Sequence, residues 1–161
     1  MNAVARSAGV SVGTLFKYFP DKAALLEAVL VEIEASFLEA MQTADPPEAP
    51  MAERINAMIA ALFAHARDQP AFFWALTPGT QALRGPRDAS PGDTIRRYLA
   101  SMITRGQAEG EAVEGPPEQL AVLAYGLVEA AMNRAFGGEE GASAAAWCET
   151  TAAAAGRMLS R

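Results

Sequence analysis

Apolar residues in this chain recur at the three-and-four spacing of an α-helix. No useful length shows the strict alternation that a half-buried strand requires. From Asp21 to about Thr43, the residues Leu25, Leu26, Val29, Leu30, Ile33, Phe37 and Leu38 form one such stripe behind Asp21, a good capping residue, and predict a long helix. The run Asp45-Pro46-Pro47-Glu48-Ala49-Pro50 ends it. From Met51 to Asp68 a second stripe, Ile55, Met58, Ile59, Leu62, Phe63 and Ala66, predicts another helix closed by Pro70. A short aromatic block, Phe72-Phe73-Trp74 up to Thr77, then meets Pro78, Gly79, Gly85, Pro86, Pro91 and Gly92, which read as a long loop. The next helix is expected over about Asp93 to Glu109, with Ile95, Leu99, Met102 and Ile103 inward, followed by a turn from Gly110 to Pro117. Two terminal helices follow. The first, about Pro117 to Phe136, places Leu120, Leu123, Ala124, Leu127, Val128, Ala131 and Met132 on one broad face. The second, about Ser143 to Leu159, is alanine-rich, so neighbouring axes can approach closely while Trp147 and Met158 supply bulk. The fold class is all-α.

Composition narrows the functional classes. At 161 residues the chain fits one compact unit, or a small head on a larger body, and 51% hydrophobic residues give it a core to bury. Its most apolar segment, Leu120 to Phe136, is interrupted by Glu129 and Arg134, so a membrane span is not expected. The first residues lack the apolar region of an export signal, and the expected location is the cytoplasm. A single cysteine, Cys148, and a single histidine, His65, exclude an internal disulfide and a multi-histidine metal cage. Cys148 reads as a small buried hydrophobe and His65 as a surface or capping residue. No nucleophile–base set, phosphate loop or carboxylate cluster at metal spacing appears, so neither enzyme chemistry nor a cofactor is expected. The charge is uneven. Residues 1–24 hold three cations and one anion, a net +2, which leaves −8 for the remainder of a chain whose total is −6. A nucleic-acid-binding segment on a repelling body has this pattern.

Residues Val4 to Phe19 read as a helix-turn-helix. Val4-Ala5-Arg6-Ser7-Ala8 ends one short helix, Gly9 supplies a positive φ, Val10 plugs the turn and Ser11 caps a second helix from Val12 to Tyr18. Leu15 and Phe19, four apart, face the partner helix. The opposite face stays polar, with Gly13 and Thr14 small enough for a phosphate to approach the backbone, and Lys17, Tyr18 and Lys22 within reach of the groove. The series from Val4-Ala5-Arg6-Ser7-Ala8-Gly9-Val10-Ser11 through Gly13-Thr14-Leu15-Phe16-Lys17-Tyr18-Phe19-Pro20-Asp21-Lys22, then Leu25-Leu26, resembles the head of the TetR (tetracycline-repressor) family in order, spacing and type. Two departures stand out. Phe16 occupies a position where the family usually has a tyrosine whose hydroxyl meets a phosphate. The family also has a complete helix and the first turn of the next before this motif, so the expected head is a truncated one, with Val4, Ala8, Leu15 and Phe19 partly exposed.

The resemblance implies a partial DNA-binding head and connecting long helix over residues 1–43, and a helical ligand-binding and dimerisation domain over 44–161. It implies Ser11, Val12, Gly13, Thr14, Lys17, Tyr18 and Lys22 as the DNA-binding set, and a homodimer built on the two C-terminal helices and seated on a double-stranded, pseudo-palindromic operator. It also implies a body cavity for a small apolar or aromatic effector, with Leu62, Phe63, Phe73, Tyr98, Met102, Tyr125 and Glu129 as candidate wall residues. The plain-core reading of the aromatic and methionine positions stands beside that one, and a pair between Glu129 and Arg134 or another arginine at the dimer rim stands equally beside its pocket role. The rival function is a helical ligand-binding or dimerising protein that has lost DNA binding.

Overall fold

The computed structural model describes residues 1–68, 91–137 and 143–161. The expected aromatic block and long loop, and the candidate Phe73, lie outside the described residues. Within them the elements run α1 (Asn2–Ser7), α2 (Val12–Tyr18), α3 (Lys22–Ala44), α4 (Met51–Asp68), α5 (Pro91–Glu109), α6 (Pro117–Phe136) and α7 (Ala144–Leu159), with no strand among the described residues.

The two caps expected from sequence, Ser11 and Asp21, are made, and Ser143 adds a third, unexpected one. Ser11, Asp21 and Ser143 each accept a bond from an amide in the first turn of α2, α3 and α7 respectively. The fifth helix starts earlier than Asp93, at Pro91, whose fixed φ and missing N–H suit a first turn. A cap invisible to local reading comes from sixty residues away: Glu111 Oε2 accepts the Met51 amide at 2.8 Å and satisfies one orphan donor of α4. The same connector is fastened at the chain's end, where Val113 N donates to Leu159 O at 3.0 Å and Arg161 N to Glu111 O at 2.8 Å.

Among the described residues, five helices make the body. α4 packs against α3 and α7, α6 lies between α5 and α7, and α3 also touches α5. One core joins them. It takes Phe37 and Met41 from α3, the whole predicted stripe of α4, Ile95, Met102 and Ile103 from α5, and Ala155 and Leu159 from α7. Phe37 is fully buried, worth about 1.5–3 kcal/mol relative to exposure.

Three expected inward residues point outward. Val29 is 45% exposed because the seam of α3 runs through Leu30, Phe37 and Met41, one position round the helix. Leu123 is 60% exposed because α6 buries its small residues, Ala121, Ala124 and Ala131 beside Val128 and Met132, letting its axis sit close to α5 and α7. Val10 is 41% exposed and does not plug the turn; Ala5 and Leu15 are the buried contacts between α1 and α2. Leu15 is therefore covered, contrary to expectation, while Val4 and Ala8 are exposed and Phe19 is half-buried.

Candidate nucleic-acid interface and internal cavity

At the amino end, α1 and α2 meet across a sharp turn. Gly9 has φ of 69° there, and Val10 N returns to Ala5 O at 3.0 Å. Ser11 Oγ accepts from Thr14 N at 2.9 Å and lies 2.8 Å from Thr14 Oγ1, so both hydroxyls hold the start of α2. The seven residues expected to meet DNA, Ser11, Val12, Gly13, Thr14, Lys17, Tyr18 and Lys22, are all exposed. Among the described residues, Tyr18 is the most open of the large hydrophobic side chains, and Lys17 and Lys22 have no ion-pair partner. At Gly13 an added Cβ would meet only Ser11 Oγ, at 3.8 Å, so the backbone is open to an approaching group.

The body contains a cavity of about 30 Å³, room for about two waters. Its lining is almost wholly apolar. Met41 contributes from α3, Met58 and Leu62 from α4, Ile95 and Leu99 from α5, Tyr125, Glu129 and Met132 from α6, and Leu159 from α7. Of the residues expected there, Leu62, Tyr125 and Glu129 line it. Phe63 instead packs against Phe136, ring centres 5.8 Å apart, and Met102 is buried in the core beyond the wall. Tyr98 is used elsewhere: its hydroxyl donates to Asp45 at 2.7 Å.

Tyr125 is held in a tight corner. The Arg96 guanidinium stacks 4.9 Å from its ring centre, Arg96 pairs with Asp93, and a Cβ at Gly92 would fall 2.8 Å from the Tyr125 hydroxyl. Glu129, half-buried one turn further along α6, has no hydrogen bond or ion pair among the described residues, so the expected alternative of a pair with Arg134 is not made.

Beside the cavity, the last turn of α3 is tied down by a cluster that sequence reading missed. The Asp45 carboxylate accepts from Arg54 Nε at 2.8 Å and Arg54 NH2 at 2.7 Å, a bidentate pair whose side chains are 6% and 8% exposed. Arg54 and the Tyr98 hydroxyl hold the Asp45 carboxyl below its usual range against the opposing effect of burial. Burial and the bond to Asp45 push the Tyr98 phenol up to about 12. The available signal was an arginine inside an apolar stripe, between Met51 and Ile55. His65 also departs from expectation, lying half-buried between α3 and α4, 3.3 Å from Ser36 Oγ and edge-on to Phe37. Burial lowers its pKa. Cys148 is only half-buried, and burial raises its thiol.

Among the described residues, no helix is long and apolar enough to cross a membrane, and no three His, Cys, Asp or Glu side chains are gathered for a metal.

Comparison with known proteins bears on both ends of this arrangement. The family described as bacterial regulatory proteins, tetR family, matches residues 1–29. The HTH-type transcriptional repressor KstR of Mycobacterium tuberculosis (strain ATCC 25618 / H37Rv) is 34% identical over 116 residues, 71% of this chain and 51% of KstR. The chain thus spans about half the length of the curated relative it matches. A TetR-family transcriptional regulator from a Rhodococcus species superposes with a TM-score of 0.79 at 25% identity, over 98% of this chain and 86% of that one. Another, from Shewanella sp. PV-4, gives 0.74 at 26% identity, over 98% and 85%. The head's match and the body's superposition join in one chain, which belongs to the tetR family of bacterial regulatory proteins.

Proposed function

We propose that the protein is a ligand-responsive transcriptional repressor, binding a pseudo-palindromic operator as a homodimer and released when a small apolar or aromatic effector enters the body. One observation carries the reading. The helix α3, separated from α2 by three residues, places Met41 near its far end in the cavity wall, so one rigid element of 23 residues joins the exposed head to the internal space. The DNA-binding set is Ser11, Val12, Gly13, Thr14, Lys17, Tyr18 and Lys22. Thr14, Lys17 and Tyr18 meet the groove and its walls, and Lys22 meets a phosphate. Residues 1–43 form the head with its connecting helix, and 44–161 the ligand-binding and dimerising body.

The outward face of α6 supports self-association. Val122, Leu123, Gly126 and Ala130 are exposed along one stripe, and α7 adds Ala146, Glu149, Ala153 and Arg157. A Cβ at Gly126 would meet nothing, which leaves room for a second helix to lie close. In the resulting dimer, two copies of α2 enter successive major grooves about 34–36 Å apart. Effector binding favours a state in which that spacing is lost, and operator affinity falls by the ratio of the effector's affinities for the two states.

Selection of duplexes from a random library at low salt, followed by a mobility-shift titration, tests the reading. The triple variant Thr14→Ala, Lys17→Ala, Tyr18→Ala should lose at least about tenfold in duplex affinity while keeping its helical content. Equal affinity of variant and parent for the selected duplex would refute it. A chain that ignores every duplex but still dimerises would favour the reading in which DNA binding has been lost.

A further inference from the structure

The side chains of α2 divide by their angle round the axis. Successive residues lie about 100° apart, and Leu15, 7% exposed, marks the inward direction. Gly13 and Lys17 stand opposite it, and two edges flank that outward line, each about 100° away. Along one edge, four residues apart, lie Val12 and Phe16, 36% and 46% exposed. Along the other lie Thr14 and Tyr18, both exposed and both bearing a hydroxyl. The open face of this helix is therefore two-sided about its lysine, apolar on one edge and hydroxylic on the other.

The two edges suit different parts of a duplex. A phosphate wall accepts hydrogen bonds from hydroxyls and attracts Lys17. Val12 and Phe16 have no side-chain polar atom to offer a phosphate. The floor of the major groove presents donors and acceptors on all four bases but a single apolar group, the 5-methyl of thymine. Gly13 lets that floor come close, since no side chain holds the helix off at that point. Lys17 and Lys22, without ion-pair partners among the described residues, suit a polyanion beside the apolar edge better than they suit an apolar protein surface.

Resting on the operator-binding reading above, we infer that Val12 and Phe16 read thymine methyl groups, which makes Phe16 a specificity-determining residue beside the polar DNA-binding set. Each half-site then carries thymine where the apolar edge lies. Cytosine is rejected there, because it lacks the methyl and turns an amino group toward side chains that cannot accept from it.

The test uses the duplex that the full chain selects from a random library. Thymines shared by its two halves are replaced by deoxyuridine, which keeps every hydrogen-bonding group of the base and removes only the methyl. Affinity should fall about fourfold for one half-site, the value of one buried methyl-sized group, and about fifteenfold for both. Phe16→Ala should keep its helical content, because the ring is exposed, and bind the thymine and deoxyuridine duplexes equally. Phe16→Leu should retain part of the difference. Thr14→Ala, on the other edge, should weaken both duplexes alike and leave their ratio unchanged. A native chain indifferent to the methyl, a selected site with no thymine common to its halves, or a ratio that survives Phe16→Ala or vanishes in Thr14→Ala overturns the methyl reading and leaves operator binding standing. Selection of no duplex by the native chain overturns both.

Discussion

Replacing Arg54 with leucine isolates the contribution of the buried pair that ends α3. The substitution keeps an apolar stem among Met51, Ile55 and Met58 but removes both charge-assisted bonds, 2.7 and 2.8 Å, to the Asp45 carboxylate. With side chains only 6% and 8% exposed, water cannot replace the guanidinium, and Asp45 is left with the Tyr98 hydroxyl alone. Removing one partner of such a pair costs about 3–5 kcal/mol. The cost should depend on pH with a definite sign. In the native protein Arg54 depresses the Asp45 pKa, so its stabilisation is present above the unfolded value of 3.8 and is lost as pH falls through the lowered one. In the variant, burial acts on Asp45 with the opposing arginine gone and raises its pKa, so the penalty is largest at neutral pH and shrinks as acid protonates the carboxyl. Urea unfolding followed by helical circular dichroism at pH 7 and near pH 4.5 measures both. Adding Asp45→Leu to the variant should recover much of the loss, since a charge pair replaced by apolar groups is often close to neutral. A cost below about 1 kcal/mol at pH 7, or one that does not change with pH, would refute the argument.

Three further outcomes are expected. Tyr98→Phe removes one bond to a charged acceptor and should cost about 1.5–3 kcal/mol. Burial and the bond to Asp45 push the native phenol up from the unfolded 10 to about 12, so its stabilisation holds below pH 10 and is lost as pH rises through about 12, a decline in urea midpoint that the variant should lack. His65 has its pKa lowered by burial between α3 and α4, so stability should fall as pH drops below 6.5; thermal melts of His65→Gln should show a flatter acid limb, and an unchanged limb would exclude this histidine. Leu123→Glu, at a site already 60% exposed, should leave the monomer's unfolding free energy within about 0.5 kcal/mol of the parent and shift sedimentation from dimer toward monomer.

The helices were legible in the sequence from their apolar spacing, and two of them, α2 and α3, also from their caps. The stripe of α4 from Ile55 to Ala66 is buried throughout, and Ser11 and Asp21 cap as read. Side chains whose roles depend on distant partners were less legible. Tyr98 looks like a wall residue until Asp45, 53 positions earlier, is found beside its hydroxyl. Leu123 looks like core because it is large, whereas α6 fits by burying alanines, a choice set by the closeness of its neighbours. Glu129 was conspicuous from sequence as a carboxylate bordering an apolar stripe; that no partner meets it among the described residues required coordinates.

The anchored end of α3 also fixes a mechanical advantage. Met41 lies four residues, about 6 Å, from Asp45, whereas Lys22 lies about 34 Å away at the helical rise. If the Arg54–Asp45–Tyr98 cluster serves as pivot, a guest that pushes Met41 sideways by 1 Å turns the helix by roughly ten degrees and sweeps its far end through about 6 Å. Amplification of that order, applied to two copies in a symmetric pair, exceeds the tolerance of side chains that must reach base edges, so a small guest need not deform the body much to break both contacts together.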